Sequence, residues 1–255
     1  MKTKVNFLGT GTSQGVPVIT CECPVCTSDN PKDARLRSSV LIESGDTSIV
    51  VDTGPDFRQQ MLRINAKKLD AVLFTHEHKD HIAGLDDVRA FNFSQGKSMD
   101  VYCTNQVSEA LKREFHYVFS GDKYPGVPRL DLNIIRNEEF KIEDTSIMPI
   151  EVFHYKMPVF GYRVGDFTYI TDAKSISIRE MEKIRGSKVV VLNALRKHEH
   201  ISHFTLEEAI EMMKELNPEK GYFTHISHYL GKHDEVNAEL PDNMELAYDG
   251  LQLEV

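Results

Sequence analysis

Leu69–Asp87 reads LDAVLFTHEHKDHIAGLDD. Its apolar run, Ala71–Thr75, predicts a buried strand. The run ends directly in His76-Glu77-His78-Lys79-Asp80-His81, so four metal-capable side chains fall within six residues. His76 and His78 share one face of extended chain, and Asp80 and His81 reach a second point as the chain turns toward a helix. One histidine in a loop is more often solvated than a ligand. An H-x-H-x-D-H cluster just past an apolar strand points instead to a metal pocket.

Working outward, other ligand-type residues also close apolar runs: His154 follows IEVF, Asp172 follows FTYIT and His225 follows GYFT. Several strand ends at one sheet edge make a preorganised site. A set rich in imidazole with a few carboxylates suits Zn, Mn or Fe and disfavours Ca or Mg. It oversupplies a single ion. Two ions about 3.5–4 Å apart, with Asp172 bridging, would use the set and activate a shared water.

The remaining chain sets bounds. It has 255 residues, with 30 Lys and Arg against 39 Asp and Glu, a net charge of -9 that argues against a large nucleic-acid footprint but leaves room for a small phosphorylated substrate. No apolar run approaches the ~20 residues of a membrane span, and the start, MKTKVNFLGTGTSQG, lacks a signal peptide's apolar core. A cytoplasmic protein is expected. No repeat or linker appears, so residues 1–255 are read as a single domain. Strand-like and helical patterns alternate, which predicts an α/β fold of layered α+β type. Strands are expected at Lys4–Leu8, Ser39–Ile42, Ser48–Asp52, Ala71–Thr75, Asp100–Cys103, Ile147–Phe153, Gly161–Val164, Phe167–Thr171, Val189–Ala194 and Gly221–Thr224. Helices are expected at Asp56–Asn65, Asn105–Val118, Ser177–Arg185 and Leu206–Leu216, with Gly186 as a left-handed stop and Thr205 and Glu208 as a capping box. The stretch Lys97–Asn133 holds one helix and then the turn-rich SGDKYPGVPRL.

Cys21, Cys23 and Cys26 form C-x-C-x-x-C. Thiolates that close repel unless a soft cation neutralises them, and a closed structural zinc site needs one more ligand. Cys103, alone on a strand, reads as a small buried apolar residue. The opening FLGTGTSQG lacks the Lys-Ser/Thr ending of a P-loop and reads as a tight turn that lets backbone approach the site.

The pattern T-H-x-H-x-D-H, with a later His, Asp and His at strand ends, resembles the metallo-β-lactamase superfamily. FLGTGTSQGVP, CECPVC, GLDDVRAFN, VFGYRVGDFTYITDA and THISH resemble its phosphoribosyl 1,2-cyclic phosphate phosphodiesterase branch, from carbon–phosphorus lyase pathways. The resemblance implies a four-layer αβ/βα sandwich with metals at the sheet edge. It implies that His76, His78 and His154 hold one metal, that Asp80, His81 and His225 hold the other, and that Asp172 bridges them. It further implies that Asp52 orients the histidine loop, that His228 completes a Cys3His zinc site with Cys21, Cys23 and Cys26, and that the protein is a homodimer.

Hydrolysis of a phosphodiester needs a protonated leaving oxygen. His198, His200 and His203 follow the strand VVVLNAL, and His203 stands just before the helix starting near Leu206. Free N–H groups at a helix start favour phosphate, which would keep a nearby imidazole protonated. His203 is therefore the candidate general acid, with His200 the alternative and Asp80 acting as both ligand and catalytic residue. The stretch SHFTLEEA also resembles that of transfer-RNA 3′-end nucleases, whose histidine has this role. His198, His116 and His233 are given no role. Arg89 and Lys174 are candidate contacts for a second phosphate, against the alternative of surface solvation.

The expected activity is a metal-dependent phosphodiesterase hydrolysing 5-phosphoribosyl 1,2-cyclic phosphate, by water activated between two Mn or Zn ions. One alternative is an RNA 3′-end nuclease, which the acidic charge and the lack of a basic arm oppose. Another is a glyoxalase II-like thioester hydrolase, because the same metal core serves acyl chemistry. A di-iron redox enzyme would carry a carboxylate where His78 stands.

Overall fold

The computed structural model describes residues 2–121 and 125–255. One sheet contains β1 (Thr3–Gly9), β2 (Ser39–Ser44), β3 (Thr47–Val51), β4 (Ala71–Leu73), β5 (Met99–Cys103), β6 (Leu130–Ile134) and β15 (Gln252–Glu254). The other contains β7 (Phe140–Ile142), β8 (Thr145–His154), β9 (Met157–Val164), β10 (Phe167–Tyr169), β11 (Ser175–Ile176), β12 (Val189–Asn193), β13 (Lys220–Thr224) and β14 (Met244–Leu246). Their spatial orders are β15-β1-β2-β3-β4-β5-β6 and β11-β8-β9-β10-β12-β13-β14, with β7 beside β8.

The period-two alternation of side chains builds the layers. Leu41, Val50, Val72 and Val101 pack on Phe57 and Met61 of α1 (Phe57–Arg63), Phe91 of α3 (Arg89–Gln95) and Leu111 of α4 (Asn105–Glu114). Their neighbours Val40, Ile42, Ile49, Val51, Ala71 and Leu73 turn the other way, onto Tyr162, Phe167, Tyr169 and Val191 of the second sheet. That sheet's far face, Val190, Leu192 and Phe223, meets Ile184 of α6 (Ile178–Ile184) and Ala209 and Met213 of α7 (Leu206–Leu216). The result is the expected αβ/βα sandwich. Each large apolar side chain buried in these layers contributes roughly 1.5–3 kcal/mol, which holds the sheet edges rigid.

All ten expected strands form. The five unanticipated ones (β6, β7, β11, β14 and β15) are short, and four of them lie at sheet edges, where one-sided packing leaves little apolar pattern to read. The helix expected over Asn105–Val118 breaks at Phe115, which is buried with φ -113 and ψ 39, and continues as α5 (His116–Phe119). Three further short helices were not anticipated: α2 (Lys79–Ile82) inside the histidine motif, α3, and α8 (His233–Asn237). Helix α7 matches its expected bounds, and its capping box is present: Glu208 N–H donates to Thr205 Oγ1 (3.2 Å) and Thr205 N–H to Glu208 Oε2 (2.9 Å). Gly186 stands at φ 81, as its stop signal requires.

Strands β3 to β6 are mutually parallel, as are β10 and β12 to β14. Two antiparallel steps bring β1 into line with β3 and β8 into line with β10. The strands that precede the ligand-type residues therefore end at a common edge. Asp122–Tyr124 of the turn-rich stretch lie outside the described residues. Among the described residues, no helix is long and apolar enough to cross a membrane.

Candidate metal centres

Three residues that follow strands at this edge are left-handed: Asp52 (φ 63), Asp172 (φ 59) and His225 (φ 56). Such backbone is unfavourable for non-glycine residues and concentrates at functional sites. Here it accompanies side chains gathered at the rim. Asp52 is fully buried. Its Oδ1 accepts from Thr75 N–H (2.9 Å), and its Oδ2 accepts from Thr75 Oγ1 (2.8 Å) and His81 Nδ1 (2.7 Å). His76 Nδ1 in turn donates to Thr75 Oγ1 (2.9 Å). A Cβ on Gly54 would fall 2.1 Å from the Asp80 carbonyl, so the loop after β3 lies directly against the histidine loop. One buried carboxylate thus fixes two imidazoles, His81 directly and His76 through Thr75, by their Nδ1 atoms.

Asp80, His81, Asp172 and His225 each present a donor atom within 4.8 Å of the others, and so do His154, Asp172 and His203. Asp172 belongs to both groups: Oδ2 lies 3.4 Å from His81 Nε2, and Oδ1 lies 3.3 Å from His225 Nε2 and 3.1 Å from His203 Nε2. His76 and His78 are outside these two tight groups but adjoin them. Their facing nitrogens are 3.0 Å apart, and the His78 and His154 rings meet edge-on at 5.2 Å. The structure therefore brings every expected member of the pair site to one place. It also draws His203, expected as a proton donor, in among them.

The chemistry of the donor set itself suits divalent cations. Burial pushes His76 well below the usual histidine value and His225 down to about 4, which leaves both neutral. Burial would raise Asp172 and Asp80, but neighbouring imidazoles, His225 and His81 for Asp172 and His81 foremost for Asp80, hold both below the usual carboxylate value. These are the states a metal requires. Burial would lower His81 too, yet Asp172, Asp80 and Asp52 drive it well above its ordinary value, so the pocket demands positive charge there. Its Nε2 is buried without a hydrogen-bond partner, although Asp80 Oδ2 is only 3.2 Å away. A buried nitrogen left without a partner among three carboxylates fits a shared cation.

Ser202, Thr12 and Ser38 also belong to the site and carry no spacing signal in the sequence. His154 Nδ1 donates to the Ser202 carbonyl (2.9 Å), which leaves its Nε2 free. Thr12 Oγ1 lies 3.2 Å from His225 Nε2, and Ser38 Oγ lies 3.3 Å from its Nδ1. His203 stacks on His225 (5.0 Å, 14°), and its Nδ1 faces His200 Nδ1 at 3.1 Å. Burial, and then the His203, Arg196 and Lys174 charges, pull His200 down.

One expectation is corrected here. The start of α7 offers few free donors to a phosphate: Thr205 N–H and Glu208 N–H are spent in the capping box, and Leu206 N–H donates to the Arg196 carbonyl (3.0 Å). The His203 side chain is what remains available beside the pair. Lys174 and Arg89 are already paired, with Glu208 (2.7 Å) and Asp86 (3.3 Å). His116 and His198 are exposed, and Cys103 is buried as expected, whereas His233, given no role from sequence, is buried against Arg35 at the start of α8.

The second cluster joins Cys21, Cys23 and Cys26 to His228, all half-buried, with donor atoms within 4.8 Å of one another. The three Sγ atoms stand 3.3, 3.4 and 3.4 Å from His228 Nδ1. Tetrahedral zinc with ordinary bond lengths puts N and S about 3.5 Å apart, so the cluster has the right size. The Cys26 N–H pulls the Cys23 thiol down to about 6, whereas burial pushes Cys26 up to about 11. Three thiolates cannot coexist there without a cation.

Residues 47–226 match the beta-lactamase superfamily domain. Among solved structures, a diphosphatase from the PhnP family is 39% identical, with a TM-score of 0.94, over 100% of this chain and 98% of its own. Zinc-bound PqqB from Methylobacterium extorquens shares the fold at 19% identity, with a TM-score of 0.76, over 99% of this chain and 100% of its own. A Porphyromonas gingivalis protein named as an octanoyltransferase is 38% identical over 96% of this chain, and this chain spans 50% of that relative's length. With its sheets, its rim of donors and these likenesses in agreement, the chain belongs to the beta-lactamase superfamily and, within it, to the PhnP family, as a metal-dependent hydrolase of the metallo-β-lactamase fold.

Proposed function

We propose that this hydrolase is a phosphodiesterase acting on a small cyclic phosphate of the 5-phosphoribosyl 1,2-cyclic phosphate class. One observation carries the reading: His203 Nε2 lies 3.1 Å from Asp172 Oδ1, so an imidazole that can carry a proton stands beside the donors for two cations. His76, His78 and His154 form one ligand set, Asp80, His81 and His225 the other, and Asp172 is shared. Two Mn or Zn ions held there would lower the pKa of water and neutralise charge at phosphorus. Water adds to phosphorus, the bond to the ribose oxygen breaks, and His203 gives that oxygen its proton, a role worth typically 10²–10⁴-fold. His200, facing His203 Nδ1, is the alternative donor. Cys21, Cys23, Cys26 and His228 would hold a structural zinc.

The diphosphatase relative supports phosphorus as the atom attacked. The octanoyltransferase relative favours a second reading, hydrolysis of an acyl thioester at the same centre. The deciding experiment compares turnover of a cyclic ribose phosphate, a diphosphate ester and an octanoyl thioester with Mn or Zn present. Preference for the cyclic phosphate is expected. Thioester turnover with no attack on either phosphorus substrate would overturn the proposal.

A further inference from the structure

Arg35 is a buried cation that the proposed chemistry does not use. It is 4% exposed, and its three hydrogen bonds avoid carboxylates: Nη1 donates to Thr10 Oγ1 (2.8 Å) and the Ala247 carbonyl (2.7 Å), and Nη2 donates to His233 Nδ1 (3.1 Å). Burial lowers it to about 10, against the pull of the Asp249 and Asp33 charges. A charge this deep is costly to bury and calls for an explanation.

Its partners suggest one. Thr10 and Thr12 flank Gly11, which bridges to Ile226. Ile226 N–H donates to the Thr10 carbonyl (2.9 Å), and Thr12 N–H donates to the Ile226 carbonyl (3.1 Å). That pairing fixes the residue next to His225, and Thr12 Oγ1 touches the His225 ring itself. A Cβ on Gly11 would meet Arg35 Cβ at 2.9 Å, so residues 10–12 lie directly on Arg35. On the other side, His233 ends the stretch that begins at His225. Asp33 Oδ1 accepts the His233 N–H (2.6 Å), while Asp33 Oδ2 accepts from Ser28 Oγ (2.6 Å). Arg35 also pairs through its backbone with Val16, at 2.7 and 2.8 Å. One guanidinium therefore grips both the stretch paired beside His225 and the far end of the His225 segment.

We infer that Arg35 is a positioning residue for His225: through Thr10 and His233 it holds the 225–233 segment so that the His225 ring meets Asp80, His81 and Asp172. The inference rests on the reading of His225 as a ligand. It assigns that alignment to Arg35 rather than to the cysteine cluster, which grips the same segment at His228.

Cobalt titration of the full chain tests it, because thiolate-bound cobalt absorbs in the near ultraviolet and the imidazole–carboxylate site in the visible. Arg35→Met should leave the near-ultraviolet titration unchanged and shift the visible one to about tenfold higher cobalt, the scale of a lost outer hydrogen-bond partner. Arg35→Lys, which keeps the charge and one donor direction, should recover most of the shift. Thr10→Val, a milder break in the same linkage, should shift the visible titration in the same direction and serves if Arg35→Met does not fold. Superimposable visible titrations, or equal weakening of both bands, would overturn the inference. His225→Ala separates the two ideas: full visible binding in that variant would sink the ligand reading itself.

Discussion

The two candidate metal clusters are built on opposite plans. The His and Asp cluster draws its members from the ends of β4, β8, β10 and β13, is largely buried, and is braced by Asp52, Thr75, Ser202 and Thr12. The cysteine cluster takes three donors from one short loop and one from a distant turn, and all four are half-buried. Its braces are local: Val18 N–H reaches Cys26 Sγ (3.3 Å) and Cys26 N–H reaches Cys23 Sγ (3.4 Å). A site made by sheet edges is preorganised before metal arrives. A loop site needs its ion to overcome thiolate repulsion and hold its shape.

The sharpest way to break this contrast is to remove the residue common to both tight groups at the rim. Asp172→Ala should lower phosphodiester turnover about 10³-fold or more and empty the pair site, while the thiolate site stays filled. Turnover and metal content per chain check it, and retention of about three ions would contradict the shared-carboxylate reading. Next in size, Cys26→Ser should lose a single ion and about 3 kcal/mol of stability, a Tm fall of about 10 °C in a scan, with the pair still loaded. Loss of the pair as well would merge the two sites into one cooperative unit. Asp52→Asn should weaken the pair's metal affinity by about 10–100-fold, and competition with a chelator would measure it against an unchanged cysteine site.

The smallest effect lies at the end of the segment the two sites share. His233 falls from 6.5 to about 4, through burial first and the Arg35 charge second. The unfolded chain therefore binds a proton between those values that the folded chain refuses. Stability from this group is complete above about pH 6.5 and declines as pH drops toward 4, by about 2 kcal/mol after allowance for screening. Urea unfolding of His233→Gln should show a shallower decline over that window than the unaltered chain. Equal slopes would show that His233 titrates alike in both states.

The legibility of these regions differs for physical reasons. T-H-x-H-x-D-H and C-x-C-x-x-C announce themselves because chelation packs donors into adjacent positions. Helix α7 was readable to its exact bounds because Thr205, Glu208 and the apolar stripe agree. Arg35, His233, Thr12, Ser38 and Ser202 were not, since each acts through hydrogen bonds to residues far along the chain. The donors at the start of α7 were misjudged because Leu206 N–H finds the Arg196 carbonyl, a partner supplied only by the fold.

By itself the sequence determined the alternation of strand-like and helical stretches, and hence a layered α/β fold, together with the donor types that call for soft or borderline cations; the sandwich of two sheets was implied by the family resemblance. Only the tertiary structure decided that β3, β4, β8, β10 and β13 end at one rim, that His203 sits against Asp172, and that a buried arginine spans the segment carrying His225. Local patterning is written in neighbouring residues. Convergence depends on strand order and register, which emerge when distant faces pack against each other.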